Sequence, residues 1–187
     1  MSRVESKMIP LKTPLVPFTL SDPEDKIYDS KDLMGKTGLL VYILCNHCPF
    51  TEPLWGRFVE IADFAAKVDL GVVAINPNIH PNYPEDSPAH MLDKISEYEV
   101  PFPYLIDADQ SVSKALGATC TPEVFLYDHE GKLYYHGRVD DHWQDASAVK
   151  KEELREAIML LFNKKEPPSE QIPSKGCSIK WADTVTG

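Results

Sequence analysis

The chain has 187 residues, of which 43% are hydrophobic, enough for a real core. That excludes a disordered tail and a small domain held together only by disulfides. The formal net charge is -10 and no long Lys/Arg run occurs, which argues against a nucleic-acid partner.

Residues 1 to 17 are proline-spaced and read as irregular. "PFTL" and "KIYDS" are strand-like and separated by the turn chemistry of "SDPED", predicting a hairpin ahead of the main domain. "GLLVYILC", Gly38 to Cys45, is continuously apolar and suits a strand buried on both faces. It is also the longest apolar run, far short of the ~20 residues that span a bilayer. No signal-like segment opens the chain, so no membrane contact and a cytoplasmic location are expected. Phe50, Leu54, Phe58, Ile61, Ala65 and Val68 then form one helical stripe. Pro49 is placed in the first turn of that helix, and Pro53 is expected to bend it.

"LGVVAINP" is a second buried strand. The connection "NPNIHPNYPEDSP", Asn76 to Pro88, is long, and lines a binding groove or forms a rigid surface loop. "SPAHMLDKISEYEV" reads as a helix with Ser87 as N-cap and Pro88 at the first position. "FPYLIDAD" is a third strand and "SVSKALGA" a short helix. "EVFLYD" and "KLYYHGRVD" flank "HEG" as a hairpin. "KKEELREAIMLLFNKK" is a closing helix with Leu154, Ile158 and Leu161 on its apolar stripe. The rest, about residues 165 to 187, reads as an irregular tail. Alternating strands and helices imply parallel pairing with an antiparallel pair at the end. The expected organisation is one α/β domain over 1–187, with an N-terminal extension to about residue 35 and the C-terminal tail.

The chemistry concentrates in Cys45-Asn-His-Cys48-Pro, where a buried strand gives way to a helix. Unpaired N–H groups and the helix dipole stabilise an anion there and favour thiolate. Spacing of three lets the two sulfurs cycle between dithiol and disulfide. An imidazolium at His47 would lower the thiol pKa further. A zinc site is the bland alternative and needs two more ligands from Cys120, Cys177 or a His. No second C-x-x-C or H-x-x-H supplies them, so redox use is favoured and no metal or organic cofactor is expected. Downstream, Thr121–Pro122 precedes a strand. A cis bond there would present the Thr121 backbone to whatever docks beside the cysteines.

Several segments together resemble a known family. They are Asn46–Pro49 ("NHCP"), Tyr83–Pro88 ("YPEDSP"), Phe102–Leu105 with Asp107, Thr121–Leu126 with Asp128, Tyr135–Asp141 ("YHGRVDD") and Gly176–Trp181 ("GCSIKW"). In order and spacing they are similar to bacterial thioredoxin-like proteins of the redoxin, or alkyl hydroperoxide reductase/thiol-specific antioxidant, superfamily. The resemblance implies a thioredoxin-like fold, with a central mixed sheet flanked by helices, and thiol–disulfide oxidoreductase chemistry. It makes Cys45 the attacking thiol, nearer to solvent, Cys48 the sheltered resolving thiol, and Pro122 the cis-proline facing them, with Thr121 and His47 in support. It also implies a thiol- or disulfide-bearing protein substrate and a recycling thiol reductant. Thioredoxin carries a buried Asp six residues before its first Cys, and here that position is Leu39. Glu52 and Glu123 are the proton acceptors nearest in sequence, though a surface role is expected for each.

Two other functions compete. Peroxiredoxins use P-x-x-x-T-x-x-C, but aligned on Cys48 the Thr and Pro positions are Cys45 and Val41. A weaker peroxidase would oxidise Cys48 to sulfenic acid and resolve it with Cys45. The other is a metal- or partner-binding thioredoxin-like module. Cys120 borders the site and is expected to pack as a small apolar residue, with a mixed disulfide or metal ligation as its alternatives. Cys177 is a possible third thiol reaching back from the tail, or a packing partner of Trp181. His136 and Arg138 share one face of a strand, and Arg138 is expected to pair with Asp140 or Asp141.

Overall fold

The computed structural model describes residues 3–182. Ten strands and five α-helices follow in the order β1 (Arg3–Glu5), β2 (Thr19–Ser21), β3 (Ile27–Asp29), α1 (Ser30–Leu33), β4 (Gly38–Ile43), α2 (Trp55–Lys67) and β5 (Leu70–Asn76). Then come α3 (Pro88–Tyr98), β6 (Tyr104–Ile106), α4 (Ser111–Leu116), β7 (Cys120–Thr121), β8 (Glu123–Asp128), β9 (Leu133–Gly137), α5 (Glu153–Phe162) and β10 (Lys175–Ser178). The main sheet has seven strands in the order β3-β2-β6-β5-β4-β8-β9. β4 pairs in parallel with β5 and antiparallel with β8, so the sheet is mixed. The β2–β3 hairpin joins the sheet through Ser21 opposite Ile106.

β4 is apolar throughout because it feeds two cores. Leu40 and Tyr42 face one, with Trp55 and Phe58 of α2, Met91 of α3 and Leu154 and Ile158 of α5. Leu39, Val41 and Ile43 face the other, with Leu116 of α4, Phe18 and Ile179. Burial on both faces removes the polar alternation that a half-exposed strand shows. Among the described residues, no helix is long and apolar enough to cross a membrane.

Three expectations need correction. Pro53 does not bend a helix that begins near Pro49. It opens a 3-10 turn, Glu52–Leu54, and α2 starts only at Trp55. A proline lacks the N–H that the first turn leaves unpaired anyway, so it marks a start. The tail is not wholly irregular, because β10 forms within it. The first seventeen residues are not wholly irregular either, because β1 forms there. β10 lies between β1 and β7 in a second, three-stranded antiparallel sheet. These strands have two to four residues each and pair only with distant backbone, so no local periodicity announces them.

Candidate active site

At the end of β4 the backbone stays in register for one more residue, with the Leu44 N–H donating to the Ile75 carbonyl at 3.0 Å. The chain then leaves the sheet and carries Cys45 and Cys48 through a loop before the 3-10 turn. Opposite them, the Thr121–Pro122 peptide bond is cis. Thr121 meets both sulfurs: its hydroxyl lies 3.1 Å from Cys45 Sγ and its carbonyl 3.0 Å from Cys48 Sγ. A third sulfur completes the group, with Cys177 Sγ of β10 3.0 Å from Cys48 Sγ. Register explains its arrival, since Cys177 pairs with Thr121 on one side and Arg3 on the other. Phe50 packs against the three cysteines, meets Trp143 in a tilted ring contact with centroids 4.3 Å apart, and lies under the Arg3 guanidinium.

The expectation that Cys45 stands nearer to solvent than Cys48 is not met: Cys45 is 0% exposed, and Cys48 and Cys177 1% each. Their acidities also differ. Burial pushes the Cys45 thiol well up, and the neighbouring Cys48 and the Asp86 carboxylate add to that. Cys48 is moved the other way, chiefly by its hydrogen bond with Cys45 and further by Cys177 and Thr121, so of the two it gives up its proton more readily.

The chain matches the Redoxin family over residues 10–154. It belongs to the Redoxin family. Two solved structures cover nearly all of this redoxin. A hypothetical protein of Sinorhizobium meliloti 1021 is 38% identical, covering 95% of this chain and 97% of its own, with a TM-score of 0.87. An uncharacterized conserved protein of Geobacillus kaustophilus is 37% identical, covering 97% of each chain, with a TM-score of 0.92. Peroxidoxin BcpB of Mycobacterium tuberculosis shares the fold at 13% identity and a TM-score of 0.62, over 84% of this chain and 98% of its own. No curated protein is matched by the chain. The family and the fold support a thiol-based redox function, on a thioredoxin-like mixed sheet.

The connection from Asn76 to Pro88 is a surface loop at Pro81, Asn82, Pro84, Glu85 and Pro88, but part of it turns inward. It folds back under the cysteine loop, with Asn76, Asn78 and Asp86 buried. Asp86 accepts from the Asn46 N–H at 2.5 Å, from Asn76 Nδ2 at 3.0 Å, and from His47 Nδ1. Asn46 donates to the Glu85 carbonyl at 2.9 Å and accepts from the Tyr104 hydroxyl at 3.1 Å. His47 stacks on Tyr83 with ring centres 4.7 Å apart. His47 is therefore paired with the Asp86 carboxylate. The donor atoms of Cys45, His47 and Asp86 lie within 4.8 Å of one another. Three donors are one short of a structural zinc site, and Asp86 is already engaged by Asn46, Asn76 and His47. Sequence reasoning missed Asp86; its only signal is an acid inside "YPEDSP".

Glu123 is also corrected. It is fully buried, accepting from the Thr119 and Cys120 N–H groups at 2.7 and 3.1 Å and pairing with His136 at 2.7 Å. Through those two N–H groups it fixes the strand that ends in Thr121–Pro122. Glu52 is on the surface, paired with Lys94 at 3.0 Å. Cys120 is buried with its Sγ 3.8 Å from Glu123, and burial, reinforced by that carboxylate, holds its thiol far above the usual range. Arg138 pairs with Glu153 rather than with Asp140 or Asp141, its Nε lying 3.0 Å from Oε1. Asp140 is taken by Arg57 at 2.5 Å. Beside Pro122 a cavity of about 240 Å³ is lined by Arg138, Trp143, Pro173 and Lys175, among others.

Proposed function

We propose that this redoxin is a thiol–disulfide oxidoreductase in which Cys48 and Cys45 form the redox couple. The observation that carries the reading is that one residue before a cis-proline, Thr121, holds both sulfurs at about 3 Å. The exchange then runs with the two roles reversed from the sequence expectation. Cys48, favoured as thiolate, attacks the sulfur of a substrate disulfide and expels one substrate thiolate. Cys45 next attacks Cys48 Sγ, releasing the second substrate thiol and closing the Cys45–Cys48 disulfide. Cys45 must lose a proton first, and burial opposes that. The Asp86–His47 pair is the acceptor within reach, in the part that Leu39 cannot play. The cavity beside Pro122 offers the substrate chain a place to dock.

A thiol- or disulfide-bearing protein is the substrate in this reading. A thiol reductant returns the couple to the dithiol, in the reducing cytoplasm. The test is reduction of a protein disulfide such as insulin's in the presence of dithiothreitol. Loss of turnover in Cys48→Ser is expected, with a mixed disulfide trapped on Cys48 once both neighbouring thiols are removed, in Cys45→Ser combined with Cys177→Ser. Full turnover in Cys48→Ser would overturn the reading.

One observation favours a second reading, a thiol peroxidase. All three clustered sulfurs are nearly sealed from solvent, and a small oxidant enters a closed site more readily than a protein disulfide. Peroxide consumption that dies with Cys48→Ser, without any reduction of protein disulfides by the native chain, would establish it over the first.

A further inference from the structure

The third sulfur belongs to a segment whose placement looks built for contact with the redox couple. β10 reaches Thr121 closely only because residue 176 is glycine. A Cβ there would fall 2.1 Å from the Thr121 carbonyl oxygen and 3.1 Å from the Pro122 nitrogen. The segment is anchored on both sides of Cys177. Before it, the Ser174 hydroxyl donates to the Gly137 carbonyl at 2.6 Å, and the Ser174 N–H to the Ser6 hydroxyl at 2.9 Å. After it, Ile179 is buried in the second core and the Lys180 N–H donates to Asn78 Oδ1 at 2.9 Å. Cys48 thus neighbours two thiols, Cys45 in its own loop and Cys177 on β10, the latter at 3.0 Å. A disulfide needs roughly 2.05 Å, so closing that gap takes a movement of only about 1 Å.

We propose that Cys177 is a resolving thiol for Cys48, forming a Cys48–Cys177 disulfide as an alternative to Cys45–Cys48. This rests on the reading above that Cys48 is the attacking sulfur. With Cys48 bound in a mixed disulfide, Cys177 gives up its proton and its sulfur attacks Cys48 Sγ. The Cys48–Cys177 bond forms and the bond from Cys48 to the substrate sulfur breaks. The substrate leaves as thiolate and takes up the proton. The two cysteines are oxidised and the substrate disulfide is reduced to two thiols, so the electrons balance. A thiol reductant then cleaves Cys48–Cys177 by the same exchange.

Burial and the neighbouring Cys48 push the Cys177 thiol up to about 12, against the pull of Lys180. Cys45 has burial and Asp86 both acting against its thiolate.

The experiment uses the full chain carrying Cys45→Ser and Cys120→Ser, which leaves Cys48 and Cys177. A small diaryl disulfide is added under native conditions and the released aryl thiol is followed. If Cys177 resolves Cys48, the two cysteines release two equivalents in sequence, and peptide mapping finds a 48–177 bridge within one chain. One equivalent, with an aryl adduct persisting on Cys48 and Cys177 still open to alkylation after unfolding, would overturn the proposal. Should the double variant fail to fold, mapping the partly oxidised native chain decides instead. A 48–177 bridge beside the 45–48 bridge supports the proposal, and 45–48 alone refutes it. Failure of the oxidoreductase reading would appear separately, as absence of insulin reduction by the native chain whichever bridge forms.

Discussion

Replacing Gly176 with alanine tests whether the approach of β10 to the cis-proline turn shapes the thiol site. The added Cβ would lie 2.1 Å from the Thr121 oxygen and 2.6 Å from its carbonyl carbon, both backbone atoms that cannot rotate away. To reach even a tight contact the strand must retreat by about 1 Å, an overpacking strain on the order of 1–3 kcal/mol. The same retreat stretches the Cys48–Cys177 contact from its present 3.0 Å. Cys48 then loses one of the hydrogen bonds that favour its thiolate, so its pKa should rise. Two measurements follow on the reduced protein: urea unfolding, and an ultraviolet titration of thiolate absorbance. A loss of about 1–3 kcal/mol together with a shift of the Cys48 titration to higher pH is expected. Unchanged stability and an unchanged titration in Gly176→Ala would show that β10 exerts no hold on the redox couple.

Other predictions follow from the same contacts. Reduced native protein should show one thiolate already at neutral pH, absent in Cys48→Ser, and in Cys45→Ala it should appear only at higher pH because the chief cause of the lowering is removed. By linkage, a depressed Cys48 pKa stabilises the fold above the pKa of the unfolded thiol, and this contribution is lost as pH falls through the folded one. A Cys48→Ala variant should therefore lose less stability than the native chain between alkaline and acid pH. Asp86→Asn should slow the Cys45-dependent release of a mixed disulfide by roughly 10²-fold, as expected for loss of a general base. Faster release would mean that Asp86 acts on Cys45 only by repulsion. Glu123→Ala strands a buried His136 and two backbone N–H groups, and should cost about 3–5 kcal/mol in urea unfolding. A cost under about 1 kcal/mol would contradict the assigned pairing.

Much of the sheet was legible in the sequence because its signals are local. β4 reads as doubly buried from its unbroken apolar run, and the β8–β9 hairpin from the Gly131 turn. Cys45 and Cys48 stood out as a short pattern at a strand end, whereas a cis bond at Pro122 followed only from the family resemblance. Asp86 was not, because its partners Asn46 and His47 lie 40 and 39 residues away across a proline-rich loop without periodicity. Glu123 gave a weak sign that could have been used: an acid opening the apolar run Val124–Tyr127, with His136 on the neighbouring strand. The place of Cys177 depended on β10 pairing with β1 and β7, contacts that no window of sequence contains.

Cys48 and Cys177, which touch in the folded protein, are separated by 129 positions along the chain. Translation therefore finishes the reactive couple long before it makes the segment that covers it. Until β10 has been made and has paired with β7, the two sulfurs lack the strand that lies beside them. For this redoxin, the interval between synthesis and closure is when stray crosslinks to other proteins would form.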